Sequence, residues 1–196
     1  MSKASTTRHL ILEKAFEIIY TKGYQTTSID EIIATTNVTK GAFYYHFKTK
    51  DEMGLAIINE ILKPTMQNDF VKPLQDAEEP IAEIYNMTKA LLLENPFLKL
   101  EFGCPAGNLT QEMTPWNVEF GKALAELTLE WQQALQNSIS KAQENGTVRE
   151  DINPIQVAYF IMSGYWGIRN FGKVYNSIDC YHSYLNELKI YLNNLK

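Results

Sequence analysis

Apolar positions recur at helical spacing along nearly the whole chain, and Gly and Pro cut the pattern into segments. Over residues 6–22, Ile11, Ala15, Ile18 and Ile19 form one stripe with Leu12 and Phe16 beside it, and Gly23 closes the segment. Ser28 and Glu31 have the spacing of a capping box, which predicts a second helix whose buried face is Ile29, Ile32 and Ile33. Thr36-Asn37-Val38 makes a short turn, and Thr39 is placed to cap a third helix. On that helix Phe43 and Phe47 lie one turn apart on one face. Gly41, Tyr44 and Tyr45 project from the other, beside Lys40, Lys48 and Lys50.

Helix, tight turn and helix, with a supporting helix in front, is the helix-turn-helix arrangement. Two phenylalanines anchor the third helix while its small and hydrogen-bonding residues stay free near cations, which suits a helix held in the DNA major groove. Thr27 and Thr39 lie at helix starts, where a hydroxyl and free N–H groups can meet phosphate oxygens. Lys40 is placed for phosphate or a guanine edge, Gly41 permits close approach, and Tyr44, Tyr45 and His46 surround it. Tyr45 points most directly away from the core. His46 sits beside Phe43 on the helical wheel, and both a half-buried place and a phosphate contact suit it.

The run Gly23-Tyr24-Gln25-Thr26-Thr27-Ser28-Ile29, followed by Ile32-Ile33-Ala34, Val38-Thr39-Lys40-Gly41, Phe43-Tyr44-Tyr45-His46-Phe47 and Lys50-Asp51-Glu52-Met53, resembles the DNA-binding domain of tetracycline-repressor-type (TetR/AcrR) regulators. The likeness covers roughly residues 7–54 without gaps. Ala42 replaces a hydroxyl residue frequent in the family, which removes one DNA contact, and Met53 replaces a usual leucine. The resemblance implies that Lys50 binds phosphate and that the chain is a homodimeric regulator meeting a palindromic double-stranded DNA operator. It also implies that a ligand bound among the C-terminal helices releases the operator.

Beyond the first three helices the expected fold is all-α, with about nine helices. A helix-turn-helix domain over residues 1–50 and a connecting helix over about 50–63 precede an effector-sensing and dimerisation domain over 64–196. The connecting helix is expected to stop near Pro64. Residues 70–80, acidic and holding Pro73 and Pro80, read as a linker or short irregular helix. Pro80 opens a helix that Asn95-Pro96 ends, and Thr114-Pro115 opens the longest pattern, reaching Asn145-Gly146 over roughly 45 Å. Asn153-Pro154 opens a helix apolar almost all round, in which Ala158, Gly164 and Gly167 admit a close neighbour. In the last helix Ile178, Tyr181, Leu185, Leu188, Leu192 and Leu195 alternate steps of three and four. That seam serves either the subunit's own core or a four-helix bundle with a second copy, and the family's dimerisation through its last two helices favours the bundle.

Phe102, Trp116, Phe120, Trp131, Tyr159 and Trp166 can line an effector pocket or simply fill the core. Pro105 suits the first position of a helix, placing Cys104 at the N-cap, where the helix dipole lowers a thiol's pKa. Gly103-Cys104-Pro105-Ala106-Gly107-Asn108-Leu109 resembles a branch of these regulators, some of which sense electrophiles or oxidants through a cysteine. In that branch a lysine after the penultimate helix lies near the cysteine, and Lys173 matches it. Plain packing of Cys104 and a helix-end role for Lys173 are the alternatives.

Composition sets limits. The chain has 196 residues, 45% of them hydrophobic, and a net charge of −5. Residues 1–60 hold seven Lys/Arg and seven Asp/Glu, against eleven and sixteen in residues 61–196, so the acidity lies outside the DNA-binding part. A local basic face must therefore attract phosphate. No secretory signal or membrane-length apolar run is visible, and two cysteines make no disulfide framework, which points to the cytoplasm. His9, His46 and His182 are far apart, with no metal spacing, and there is no phosphate-binding loop, dinucleotide fingerprint or nucleophile elbow. Glu101, Glu112 and Glu119 read as solvated helix faces. Neither metal nor cofactor is expected, and an all-helical enzyme or a protein-binding helix-turn-helix scaffold is the rival reading.

Overall fold

The computed structural model describes residues 3–75 and 77–196. Among them lie nine helices and no strand: α1 Lys3–Lys22, α2 Ile29–Thr35, α3 Lys40–His46, α4 over residues 50–75, α5 over residues 80–94, α6 Pro105–Met113, α7 Val118–Glu144, α8 Pro154–Tyr175 and α9 Asp179–Asn193. Contacts divide the chain into two compact units. The first is Met1–Pro64 with Pro105–Ala125, and the second is Thr65–Cys104 with Glu126–Lys196. The stretch 64–196 thus gives residues 105–125 to the first unit.

In the first unit α1, α2, α3 and the start of α4 pack around Ile11, Leu12, Ala15, Ile32, Phe43, Phe47 and Met53, all essentially sealed from solvent. The helix starts are strongly specified. The Ser28 hydroxyl accepts the Glu31 N–H, and the Glu31 carboxylate accepts the Ser28 N–H at 2.8 Å, completing the capping box. The Thr39 and Thr49 hydroxyls cap α3 and α4 by accepting the N–H groups of Ala42 and Glu52, without the returning carboxylate bond of the box. Gly54 has no room for a side chain, because a Cβ there would come within 2.5 Å of Phe120 and 2.7 Å of Tyr24.

The connecting helix does not stop at Pro64. It runs on through Pro64 and Pro73 to residue 75, by way of π turns at Ile58–Leu62 and Gln67–Val71. A third π turn, Ala90–Glu94, precedes Pro96. Each ends two residues before a proline, with Lys63, Lys72 and Asn95 donating to carbonyls five residues back. A proline ring in an α-helix strikes the carbonyl four residues back, and widening the turn beforehand relieves that clash. This is why residues 70–75, expected as linker, are helical.

In the second unit Trp131 is fully buried in edge-to-face contact with Phe70 and Tyr165, at centroid distances of 5.1 and 5.5 Å. The α9 seam goes inward: Tyr181, Leu185, Leu188, Leu192 and Leu195 are at most 4% exposed, and α9 packs on α8 and α5. The preferred assignment of that seam to a second copy is therefore corrected to the subunit's own core, with Ile178 left half exposed. Gly164 and Gly172 permit this packing, since a Cβ at either would strike Tyr184 or Tyr181. The longest helix begins at Val118 rather than at Thr114-Pro115. The Asn117 side-chain oxygen takes the free N–H groups of Glu119 and Phe120, a stronger start signal than the proline. No described helix is long and apolar enough to cross a membrane.

The capping box carries a pH signature. The Lys22 ammonium and the Ser28 N–H lower the Glu31 carboxyl from 4.5 to about 2. Its folded pKa is depressed, so its stabilisation is complete above the ordinary carboxylate range and disappears as pH falls toward 2. Acid titration monitored by helical circular dichroism should show Glu31→Gln losing this part of the pH dependence while keeping the rest.

Candidate nucleic-acid interface

α3 has seven residues, too few to persist without tertiary support, and its orientation is set by what it buries. Phe43 and Phe47 are wholly buried with centroids 5.9 Å apart, and the Arg8 guanidinium lies 4.8 Å over the Phe47 ring. The opposite side is therefore presented to solvent. Tyr45 is 73% exposed and Tyr44 38%, with the Tyr44 ring edge-on to Phe43. His46 is half-buried, its ring 5.0 Å from that of Tyr45. A Cβ on Gly41 would meet nothing within 4 Å, so the glycine opens onto free space.

The other expected contacts fall differently. Thr39 is exposed, and its hydroxyl accepts the Ala42 N–H at 3.2 Å. Thr27 is only 1% exposed and precedes α2 by two residues, and its hydroxyl donates to the Gly23 carbonyl at 2.7 Å. That hydroxyl fixes the turn before α2 instead of facing outward. Lys40 is exposed and pairs with Asp30 at 2.9 Å, which raises its pKa. Lys50 is half-buried. Its ammonium sits 4.4 Å over the Tyr24 ring and 3.4 Å from the Gln25 carbonyl, and desolvation lowers its pKa.

The sensor candidates are dispersed. Trp131 is in the aromatic core of the second unit, and its buried indole N–H has no hydrogen-bond partner among the described residues. Phe102 and Trp166 are half-buried, and Tyr159 is 55% exposed on α8. Trp116 is 79% exposed in the first unit. Cys104 is buried directly before α6, as expected from Pro105, while Lys173 is exposed on α8.

Two residues escaped sequence reasoning. Arg169 is wholly buried, its guanidinium donating to the carbonyls of Lys99 and Gly103 and lying 5.7 Å from the Tyr181 ring. An arginine within a helix apolar on nearly all sides was the available signal. Glu112, expected on a solvated face, is half-buried and accepts the N–H groups of Tyr24 and Gln25 at 2.7 and 2.9 Å. Sequence alone offered no signal for it, because its partners lie 87 and 88 residues away.

Gly41 separates folding from recognition. With open space around it, Gly41→Ala should raise stability by about 0.5–1 kcal/mol through helix propensity. The same methyl should weaken DNA binding by intruding where the backbone approaches the duplex. Thermal unfolding and fluorescence anisotropy on one preparation test both halves.

Comparison with known proteins agrees with this architecture. Residues 11–57 match the family described as "Bacterial regulatory proteins, tetR family", and residues 81–188 match "Tetracyclin repressor-like, C-terminal domain". An uncharacterized HTH-type transcriptional regulator in the lacX 3′ region of Lactococcus lactis subsp. lactis is 33% identical over 68% of this chain and 68% of its own. The HTH-type transcriptional repressor DhaR of Mycobacterium sp. (strain GP1) is 27% identical over 85% of this chain and 82% of its own. The crystal structure of a TetR-family transcriptional regulator from Cytophaga hutchinsonii superposes with a TM-score of 0.88 at 20% identity, covering 100% of this chain and 98% of that one. With a solvent-facing Gly-Tyr-Tyr surface on its third helix and both family domains matched, the chain belongs to the TetR family of DNA-binding transcriptional regulators.

Proposed function

We propose that this protein is a cytoplasmic homodimeric repressor that inserts α3 into successive major grooves of a palindromic operator and leaves it when an effector acts on the second unit. The observation that carries this reading is the division of α3 into a sealed Phe43/Phe47 side and an open Gly41/Tyr44/Tyr45 side. Tyr44, Tyr45, Lys40 and Gly41 meet the duplex, Thr39 and His46 lie at its edge, and Lys50 swings from the Tyr24 ring to a phosphate. One seven-residue helix reads few base pairs, so paired half-sites supply specificity, and two-fold protein symmetry gives a palindrome.

The dimer face we assign to the outer side of α8, supported by the start and outer face of α9. Ile155, Tyr159, Phe160, Phe171, Val174 and Tyr175 are 36–75% exposed on one helix, an apolar run that water disfavours. Gly167, with nothing within 4 Å of a built Cβ, admits a close neighbour. Fluorescence anisotropy with a duplex selected from a random pool tests the whole reading. Lys50→Ala should bind more weakly and reduce the salt slope by about one phosphate contact, whereas Phe171→Glu should yield a folded monomer that no longer holds the palindrome. Failure of wild type to retain any duplex would favour the rival scaffold or enzyme readings, and undiminished binding by Tyr45→Ala and Lys50→Ala would move the DNA contact away from α3.

Two observations favour two routes of release. The buried indole N–H of Trp131, set among Phe70 and Tyr165, is a donor suited to the acceptor group of an aromatic ligand. Cys104 stands at the entry to α6, next to a carbonyl that Arg169 holds. Conjugate addition of its sulfur to a quinone breaks the S–H bond and a ring C=C π bond, leaves the protons on the ring oxygens as a hydroquinone thioether, and would disturb this lead-in. If the thiol governs release, Cys104→Ser should retain operator through a quinone challenge that strips it from wild type. Equal loss in both proteins assigns release to a reversible ligand.

A further inference from the structure

Glu112 lies at the end of α6, and three hydrogen bonds join it to the turn that feeds α2. Its carboxylate accepts the backbone N–H groups of Tyr24 and Gln25, and the Gln25 side-chain amide donates back to the Glu112 carbonyl at 3.0 Å. The fit is close. Gly23, at φ +98°, turns the chain there, and a Cβ on it would come within 3.0 Å of the Glu112 carboxylate. Tyr24 is held from its other end as well, its hydroxyl donating to Asp51 at 2.6 Å, and Asn117 donates to the second Asp51 oxygen at 3.0 Å. The Lys50 ammonium rests on this turn, over the Tyr24 ring and beside the Gln25 carbonyl.

From this geometry we infer that Glu112 is a positioning residue for DNA recognition, the joint through which α6 sets the pose of the 23–25 turn. The inference rests on the operator-binding reading above and deepens it. The chain crosses between the two units at Pro64–Thr65, Cys104–Pro105 and Ala125–Glu126, so α6 lies between two of the three covalent crossings. Through Glu112, α6 holds backbone rather than a mobile side chain. A carboxylate is suited to this, since two N–H donors converge on its two oxygens and charge-assisted bonds of this kind are strong. With the turn held beforehand, DNA binding need not order it, so the clasp favours the bound pose by reducing the entropy lost on association.

The test compares wild type, Glu112→Gln, Gln25→Ala and Tyr45→Ala as full-length protein, using a duplex selected by wild type and a scrambled duplex. Glu112→Gln replaces one acceptor oxygen with a donor, and its affinity for the selected duplex should fall about tenfold with little change on the scrambled one. Gln25→Ala, which removes only the returning bond, should fall less. Hydrogen exchange on the free proteins separates positioning from general destabilisation. In Glu112→Gln the amides of Tyr24 and Gln25 should lose protection while those of Phe43 and Phe47, bonded within the first unit's helical core, keep theirs. Selected-duplex affinity within twofold of wild type, or an equal loss on both duplexes, overturns the inference. If wild type selects no duplex, the operator reading itself falls and takes this one with it. Loss in Tyr45→Ala beside intact Glu112→Gln rejects only the role of Glu112.

Discussion

The burial of Phe43 and Phe47 decides everything that α3 can do. A seven-residue helix does not hold itself in water, so its existence and its rotation both come from what its neighbours take in. With both rings sealed, Tyr45 has nowhere to go but outward, and Gly41 leaves the backbone bare beside it. Thr39 fixes where the helix begins, and the buried hydroxyl of Thr27 fixes the turn before α2. The open side of α3 is thus a by-product of packing on the other side.

Elements whose signals are local were legible in the sequence. The Ser28–Glu31 box, the Thr39 cap, the Gly23 stop and the Pro105 and Pro154 starts each act within four residues, and each lies where its local chemistry puts it. Pro64 and Pro73 were misleading because a proline forbids an α turn and not a helix. A π turn two residues earlier widens the spiral, and nothing in the local sequence reports that the packed chain continues beyond. The seam of α9 shows a different limit. Periodicity reveals that Tyr181, Leu185, Leu188 and Leu192 share a face, but not whether that face meets its own subunit or another. Dimer contacts are better sought among the apolar residues of α8 that the subunit leaves outside.

The candidate site divides along the same line. Tyr44, Tyr45, Gly41 and Lys40 were readable because a short helix with two aromatic anchors has only one free side. Glu112 and Arg169 were not, because each works on backbone atoms of segments distant in sequence, and a carboxylate or guanidinium destined for an N–H or a carbonyl looks like any other charge. Both brace segments at the ends of α6: Arg169 holds the carbonyls just before it, and Glu112 holds the turn preceding α2.

The central claim is that the Gly41–Tyr45 side of α3 meets DNA, and the reactivity of Tyr45 tests it most directly. Tyrosine iodination, mapped by peptide mass, should label Tyr45 readily in the free protein and spare it in the complex with the selected duplex. Labelling of half-buried Tyr85, which lies in the second unit and outside the assigned dimer face, serves as the internal standard for the reagent. Equal Tyr45 labelling with and without bound duplex would contradict the account.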